Sequence, residues 1–136
     1  MRLRFAAALS ILVTAMLFAG FGLLASWHRA CAAPEQMSFK DDVLPIFKLY
    51  CVSCHTAPNG EGYKVSALDL TTYAGVMKGT KYGPMIVPGN AEYSNLMWLL
   101  DWRASPQLRM PHGKKQLPAG ERDIIRAWIN QGAKDN

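Results

Sequence analysis

Five consecutive residues, Cys51-Val52-Ser53-Cys54-His55, hold the side chains most able to do chemistry in this chain. Two thiols three positions apart, followed directly by an imidazole, form the arrangement through which a c-type haem is attached. Each sulfur adds to a vinyl group, and the histidine faces the iron. The spacing has a physical reason: residues i and i+3 share one face of a helical turn, so both sulfurs can meet the porphyrin edge while His55 turns beneath its centre. Other chemistries ask for more than the sequence offers. A zinc site wants two further Cys or His ligands, and beyond residue 32 only His112 is left. A thioredoxin-like pair wants a βαβ surround that is not evident, and a simple exposed disulfide gives His55 no role.

An iron held by His55 has a second axial position to fill. Ser105–Gly120 is a run of 16 residues without helical pattern, and loops of that length in a compact domain are often functional. Met110 stands in it directly before Pro111. Proline biases its predecessor to an extended backbone, which can fix how the thioether is presented. A methionine ligand raises the haem potential and closes the sixth position, as an electron carrier requires. Met77 and Met97 fall on apolar helical faces and read as core. Met85, beside Ile86 and Val87, also reads as core, with ligation as its alternative, and His112 is the alternative nitrogen ligand. Pro58 or Pro84 could offer a carbonyl to the other nitrogen of His55.

The elements that must position these residues read as helices. Ser38 with Asp41 resembles a capping box, and Phe39, Val43, Ile46, Phe47 and Tyr50 recur at helical spacing up to Cys51, with a kink or restart expected at Pro45. Thr56 to Val65 is rich in turn formers and reads as a loop. Leu68 to Met77 predicts a short helix stopped by Gly79, Gly83–Gly89 an extended segment across the core, Glu92 to Trp102 a mostly buried helix, and Glu121 to Gln131 a last helix capped by Gly132. Trp98, Trp102 and Trp128 read as haem-packing core, with one of them facing a partner as the alternative. No strand and no internal repeat is evident. The fold class is all-α, a small helical domain around one covalent haem, which itself forms part of the core of a chain this short.

The amino terminus sets the compartment. Phe5 to Trp27 is 23 residues without a charge, preceded by Arg2 and Arg4. That length fits a spanning helix of roughly 20 residues better than a signal core of roughly 7 to 15. Ala30-Cys31-Ala32, followed by Pro34, nonetheless gives the pattern read by signal peptidase. Residues 1–32 are therefore a signal peptide or an uncleaved transmembrane anchor, and a lipoprotein at Cys31 is disfavoured by Arg29. Either way the arginines hold the leading side in the cytoplasm, so residues 33–136 lie in the periplasm, soluble or anchored to the inner membrane. The formal charge of +5 also shrinks: without Arg2, Arg4 and Arg29, twelve cations face ten acids, a net +2. Nucleic-acid binding loses its support.

Asp42-Val43-Leu44-Pro45-Ile46-Phe47 ahead of the haem motif, then Gly83-Pro84, Val87-Pro88-Gly89, Ser94-Asn95-Leu96, Met110-Pro111 and Ile125 through Ala133, occur as an ordered set. The set resembles the single-haem cytochrome c domain often called planctomycete-type, over nearly the whole of residues 33–136. The resemblance implies a class I-like helical fold, His/Met ligation by His55 and Met110, and electron transfer rather than an enzymatic reaction. His112 departs from it, standing where that family commonly has a second proline. The expected function is a one-electron carrier with redox protein partners, steered by Lys78, Lys81, Arg109, Lys114 and Lys115 around the haem edge. The alternative is a membrane-anchored haem subunit of a larger oxidoreductase complex, held by residues 5–27. A haem enzyme or gas sensor would need an open sixth site, and no distal constellation recommends one.

Overall fold

In a computed structural model of the chain, residues 35–136 are described, and Gln36–Asn136 forms one compact unit. The proposed leader, with its span at 5–27 and its boundary at Ala32, lies outside the described residues. Among those described, no helix is long and apolar enough to cross a membrane.

The unit is all-helical. A π-helical turn, Phe39–Val43, runs into α1, Leu44–Tyr50; α2 is Glu61–Ser66, α3 Tyr73–Lys78, α4 Asn95–Leu100 and α5 Ala119–Asn130, with a 3-10 turn at Pro106–Leu108. No strand occurs among the described residues, only an isolated bridge between Thr80 and Gly83. The restart expected at Pro45 is present. Pro45 has no N–H to give the Asp41 carbonyl and its ring would crowd it, so the chain opens into a wide turn before the proline. In that turn the Val43 N–H donates to the Ser38 carbonyl at 3.2 Å. Ser38 Oγ accepts from the Asp41 N–H at 3.1 Å, as a cap should. The return bond differs from the capping-box expectation, because the Ser38 N–H donates to Asp42 Oδ2 at 2.7 Å.

The helices are shorter than the apolar spacing suggests. Leu68–Thr72 is not helical: Asp69 Oδ1 accepts from the Thr71 N–H at 2.9 Å, a local bond that competes with helix formation, and Thr72 caps α3 instead. Gly79, at φ 76°, ends α3 as expected. Likewise α4 begins only at Asn95, because Ser94 Oγ donates to the Asn90 carbonyl at 2.8 Å and accepts from the Val87 N–H at 2.9 Å. These bonds satisfy a fully buried hydroxyl and hold the 83–89 segment, whose Met85 and Ile86 are buried, against the start of α4.

Trp128 on α5 is the centre of the core, 5.4 Å from the Phe39 ring, which in turn meets Tyr73 edge-on at 5.3 Å. Val43, Phe47, Met97, Leu100, Ile125 and Ile129 complete it. The last residue closes the domain, since the Asn136 carbonyl accepts from Ser38 Oγ at 2.7 Å and from the Lys40 N–H at 3.1 Å.

Asp101, just after α4, ties that helix to α5. It accepts from Arg122 Nη1 at 2.8 Å and from Arg126 Nη2 at 2.9 and 2.8 Å. Burial alone would raise its pKa, but the hydrogen bonds and charges of Arg126 and Arg122 outweigh that and hold it below the usual carboxylate range. A carboxylate depressed in the folded state stabilises fully above its unfolded pKa, and that contribution is lost as pH falls through the lower folded value. Asp101→Asn should therefore lower stability at neutral pH by about 1–2 kcal/mol. The difference should begin to shrink near about pH 4 and vanish only as pH falls through that lower folded value, which thermal melts across pH will show.

Candidate functional site

The haem motif is built by the end of α1. Cys51 closes the helix, its N–H donating to the Phe47 carbonyl at 2.8 Å. The Cys51 carbonyl then accepts from both the Cys54 N–H, at 3.0 Å, and the His55 N–H, at 2.9 Å. The two thiols and the imidazole thus belong to one turn, as their spacing predicts.

The turn formers from Thr56 to Val65 predict a loop, and here the structure corrects the sequence reading. Glu61–Ser66 is the helix α2, which buries no residue of its own and so shows no apolar stripe. It forms because the haem turn holds it: the Cys54 carbonyl accepts from the Tyr63 N–H at 3.0 Å, and just beyond the helix the His55 carbonyl accepts from the Leu70 N–H at 3.0 Å. Thr56 Oγ1 donates to the Val52 carbonyl and ties the turn from its other side. Gly62 lets α2 approach the imidazole. A Cβ there would lie 2.6 Å from His55 Cε1 and 2.9 Å from each ring nitrogen.

His55 is half-buried, and its Nδ1 is buried without a hydrogen-bond partner. Burial lowers its pKa, against the upward pull of a hydrogen bond with the Leu68 backbone. The neutral imidazole, the form that can donate a lone pair to a metal, is therefore favoured. No proline carbonyl takes up Nδ1: the Pro84 carbonyl accepts from Asn95 Nδ2 at 3.3 Å, and Pro58 is exposed.

Both cysteines are free thiols, Cys54 exposed and Cys51 half-buried. Burial pushes the Cys51 thiol up to about 12, with the charge of Lys114 pulling it down and Cys54 pushing it up. A redox nucleophile needs the opposite, a depressed pKa. In haem-free protein, alkylation by iodoacetamide at pH 8 should therefore mark Cys54 at least about tenfold faster than Cys51, read by peptide mass spectrometry. Among the described residues, no group of three or more His, Cys, Asp or Glu gathers as a metal site.

Met110 lies beyond the 3-10 turn, half-buried and packed against the core. Its N–H donates to the Leu99 carbonyl at 3.2 Å, and its carbonyl accepts from the Trp102 indole at 3.0 Å. Lys114, four residues on, is near enough for its charge to act on Cys51, so this loop and the haem turn share a neighbourhood. Met97 and Met85 are buried in the core and Met77 packs on it, while His112 is exposed. Of the three tryptophans read as core, only Trp128 is fully buried. Trp98 is 45 % exposed, its ring covered by the Arg103 guanidinium at 4.7 Å, because α4 buries only Leu96, Met97 and Leu100. Trp102 is half-buried, with its indole turned to the Met110 backbone. Spacing along the chain gives neither that contact nor the role of Gly62, which is legible only as a turn former.

An all-helical unit with Cys-x-x-Cys-His on the turn after its first helix has the arrangement that covalent haem attachment uses. Residues 51–112 match the family model described as planctomycete cytochrome C, so this stretch of the chain is similar to that family. That family implies a haem cofactor and suggests electron transfer as the activity. No curated protein and no solved structure matches the chain.

The residues present fit a haem. Two thiols on one turn, an imidazole kept neutral and a buried ring nitrogen with no protein partner are what covalent attachment and iron ligation ask of a chain.

Proposed function

We propose that this protein is an extracytoplasmic c-type cytochrome carrying single electrons through one haem, attached covalently at Cys51 and Cys54 and ligated by His55 and Met110. The observation that carries the reading is the Cys51 carbonyl accepting from Cys54 and His55 together, which sets both thiols and the imidazole on one turn. When bound, the haem supplies an iron that alternates between ferric and ferrous states, with no bond made to substrate. The chain's part is to bind, orient and exclude water. α2 holds the turn through the Cys54 carbonyl, Gly62 leaves the His55 ring its space, and Met110 offers a soft thioether that raises the potential. Lys78, Lys81, Lys114 and Lys115 are exposed, and together with the half-buried Arg109 they favour an acidic redox partner.

The test is the optical spectrum of the oxidised holoprotein. A weak far-red band, the mark of sulfur on ferric haem iron, is expected in the parent and absent in Met110→Ala. A parent without the band would remove Met110 as ligand and bring forward His112 or an open sixth site.

The 23 uncharged residues from Phe5 to Trp27 favour a second setting for the same chemistry, a membrane-anchored haem subunit of an oxidoreductase complex. Carbonate washing of membranes releases a periplasmic shuttle and leaves an anchored subunit in the pellet.

A further inference from the structure

We propose that Trp102 is a positioning residue that clamps Met110 in its ligating pose. The inference rests on Met110 being the iron ligand, and it names what holds that ligand.

Trp102 has φ 59°, and of the three non-glycine residues at positive φ among those described, the others are Ala67 and Ala133. A bulky side chain in the left-handed region is costly, and it persists only where the surroundings hold it there. A glycine at this helix end would avoid the strain, so the tryptophan at 102 calls for a reason.

Its contacts supply one. The left-handed residue turns the chain back over the end of α4, with the Arg103 N–H donating to the Trp98 carbonyl at 3.0 Å. The Trp102 indole N–H then reaches the Met110 carbonyl at 3.0 Å. On the other side of the same residue, the Met110 N–H donates to the Leu99 carbonyl at 3.2 Å. Met110 is therefore pinned through both backbone polar groups. The Arg109 guanidinium lies over the Trp102 ring at 5.3 Å and fixes its plane. With the backbone ordered beforehand, ligation has only the side-chain torsions of Met110 to fix, which lowers the entropy cost of a weak thioether–iron bond.

Trp98 is a natural control. It is the same residue type on the same stretch of chain, but its indole donates to the Glu92 carbonyl at 3.1 Å, away from Met110. In ferric holoprotein titrated with imidazole, Trp102→Phe should bind imidazole about tenfold more tightly than the parent, since it lacks one half-buried hydrogen bond to the ligand loop. Its far-red band should disappear at correspondingly lower imidazole. Trp98→Phe should stay within about twofold of the parent. In the unmutated holoprotein, hydrogen exchange at the Trp102 indole should accelerate about tenfold when imidazole displaces Met110, while that at Trp98 stays constant, because the coupling is reciprocal. This second readout stands even if Trp102→Phe does not fold.

A far-red band in the parent with unchanged imidazole affinity in Trp102→Phe, or an equal gain in Trp98→Phe, overturns the clamp and leaves Met110 ligation intact. An unmutated Trp102 indole whose exchange ignores imidazole does the same. A parent with no far-red band overturns both readings at once.

Discussion

Replacing Cys51 and Cys54 together by serine should abolish all haem that survives denaturing electrophoresis, seen as complete loss of the peroxidase-stained band. Serine preserves size and hydrogen bonding but forms no thioether, so the effect isolates the bond. Single replacements should keep a reduced band, because either sulfur can hold one vinyl. The loss should reach the fold as well. The first four α-helices are 7, 6, 6 and 6 residues long. Isolated helices below roughly 12 to 15 residues are marginal in water, so helices this short rely on tertiary burial. With α2 burying nothing of its own and held by the haem turn, the haem-free double variant should lose a large share of its far-UV circular dichroism. An unchanged helical signal would show that the haem adds little to the core.

Gly62→Ala should cut the yield of low-spin holoprotein by at least about tenfold. By propensity alone the change should help, since alanine inside a helix is favoured over glycine by roughly 1 kcal/mol. Sterics decide the other way. The added methyl would stand 2.6 Å from His55 Cε1, well inside contact distance, and the imidazole is the softer neighbour. The ring would swing aside, leaving the fold in place and the iron without its nitrogen ligand. Gly120→Ala makes the comparison: nothing lies within 4 Å of a Cβ at Gly120, so its holoprotein should be normal. A normal low-spin spectrum in Gly62→Ala would mean that the imidazole leaves α2 when haem binds.

The attachment turn was legible along the chain because its three functional residues are close enough for spacing to dictate their shared face, and the restart at Pro45 because a missing N–H is a property of one residue. The last helix was legible because α5 is twelve residues long and buries Ile125, Trp128 and Ile129 in register. Where local bonds compete with helical spacing, the pattern misled. Asp69 and Ser94 shorten α3 and α4 with side-chain bonds to nearby backbone, and an apolar stripe carries no record of them.

By itself, then, the sequence determined that Cys51, Cys54 and His55 share one turn and that the class is all-helical, since both follow from residue type at short separation. Only the tertiary structure decided that a stripe-less segment becomes α2 against the haem turn, that Trp98 is left exposed, and that Trp102 reaches Met110. Those outcomes depend on which distant backbone groups meet, and no spacing along the chain encodes that meeting.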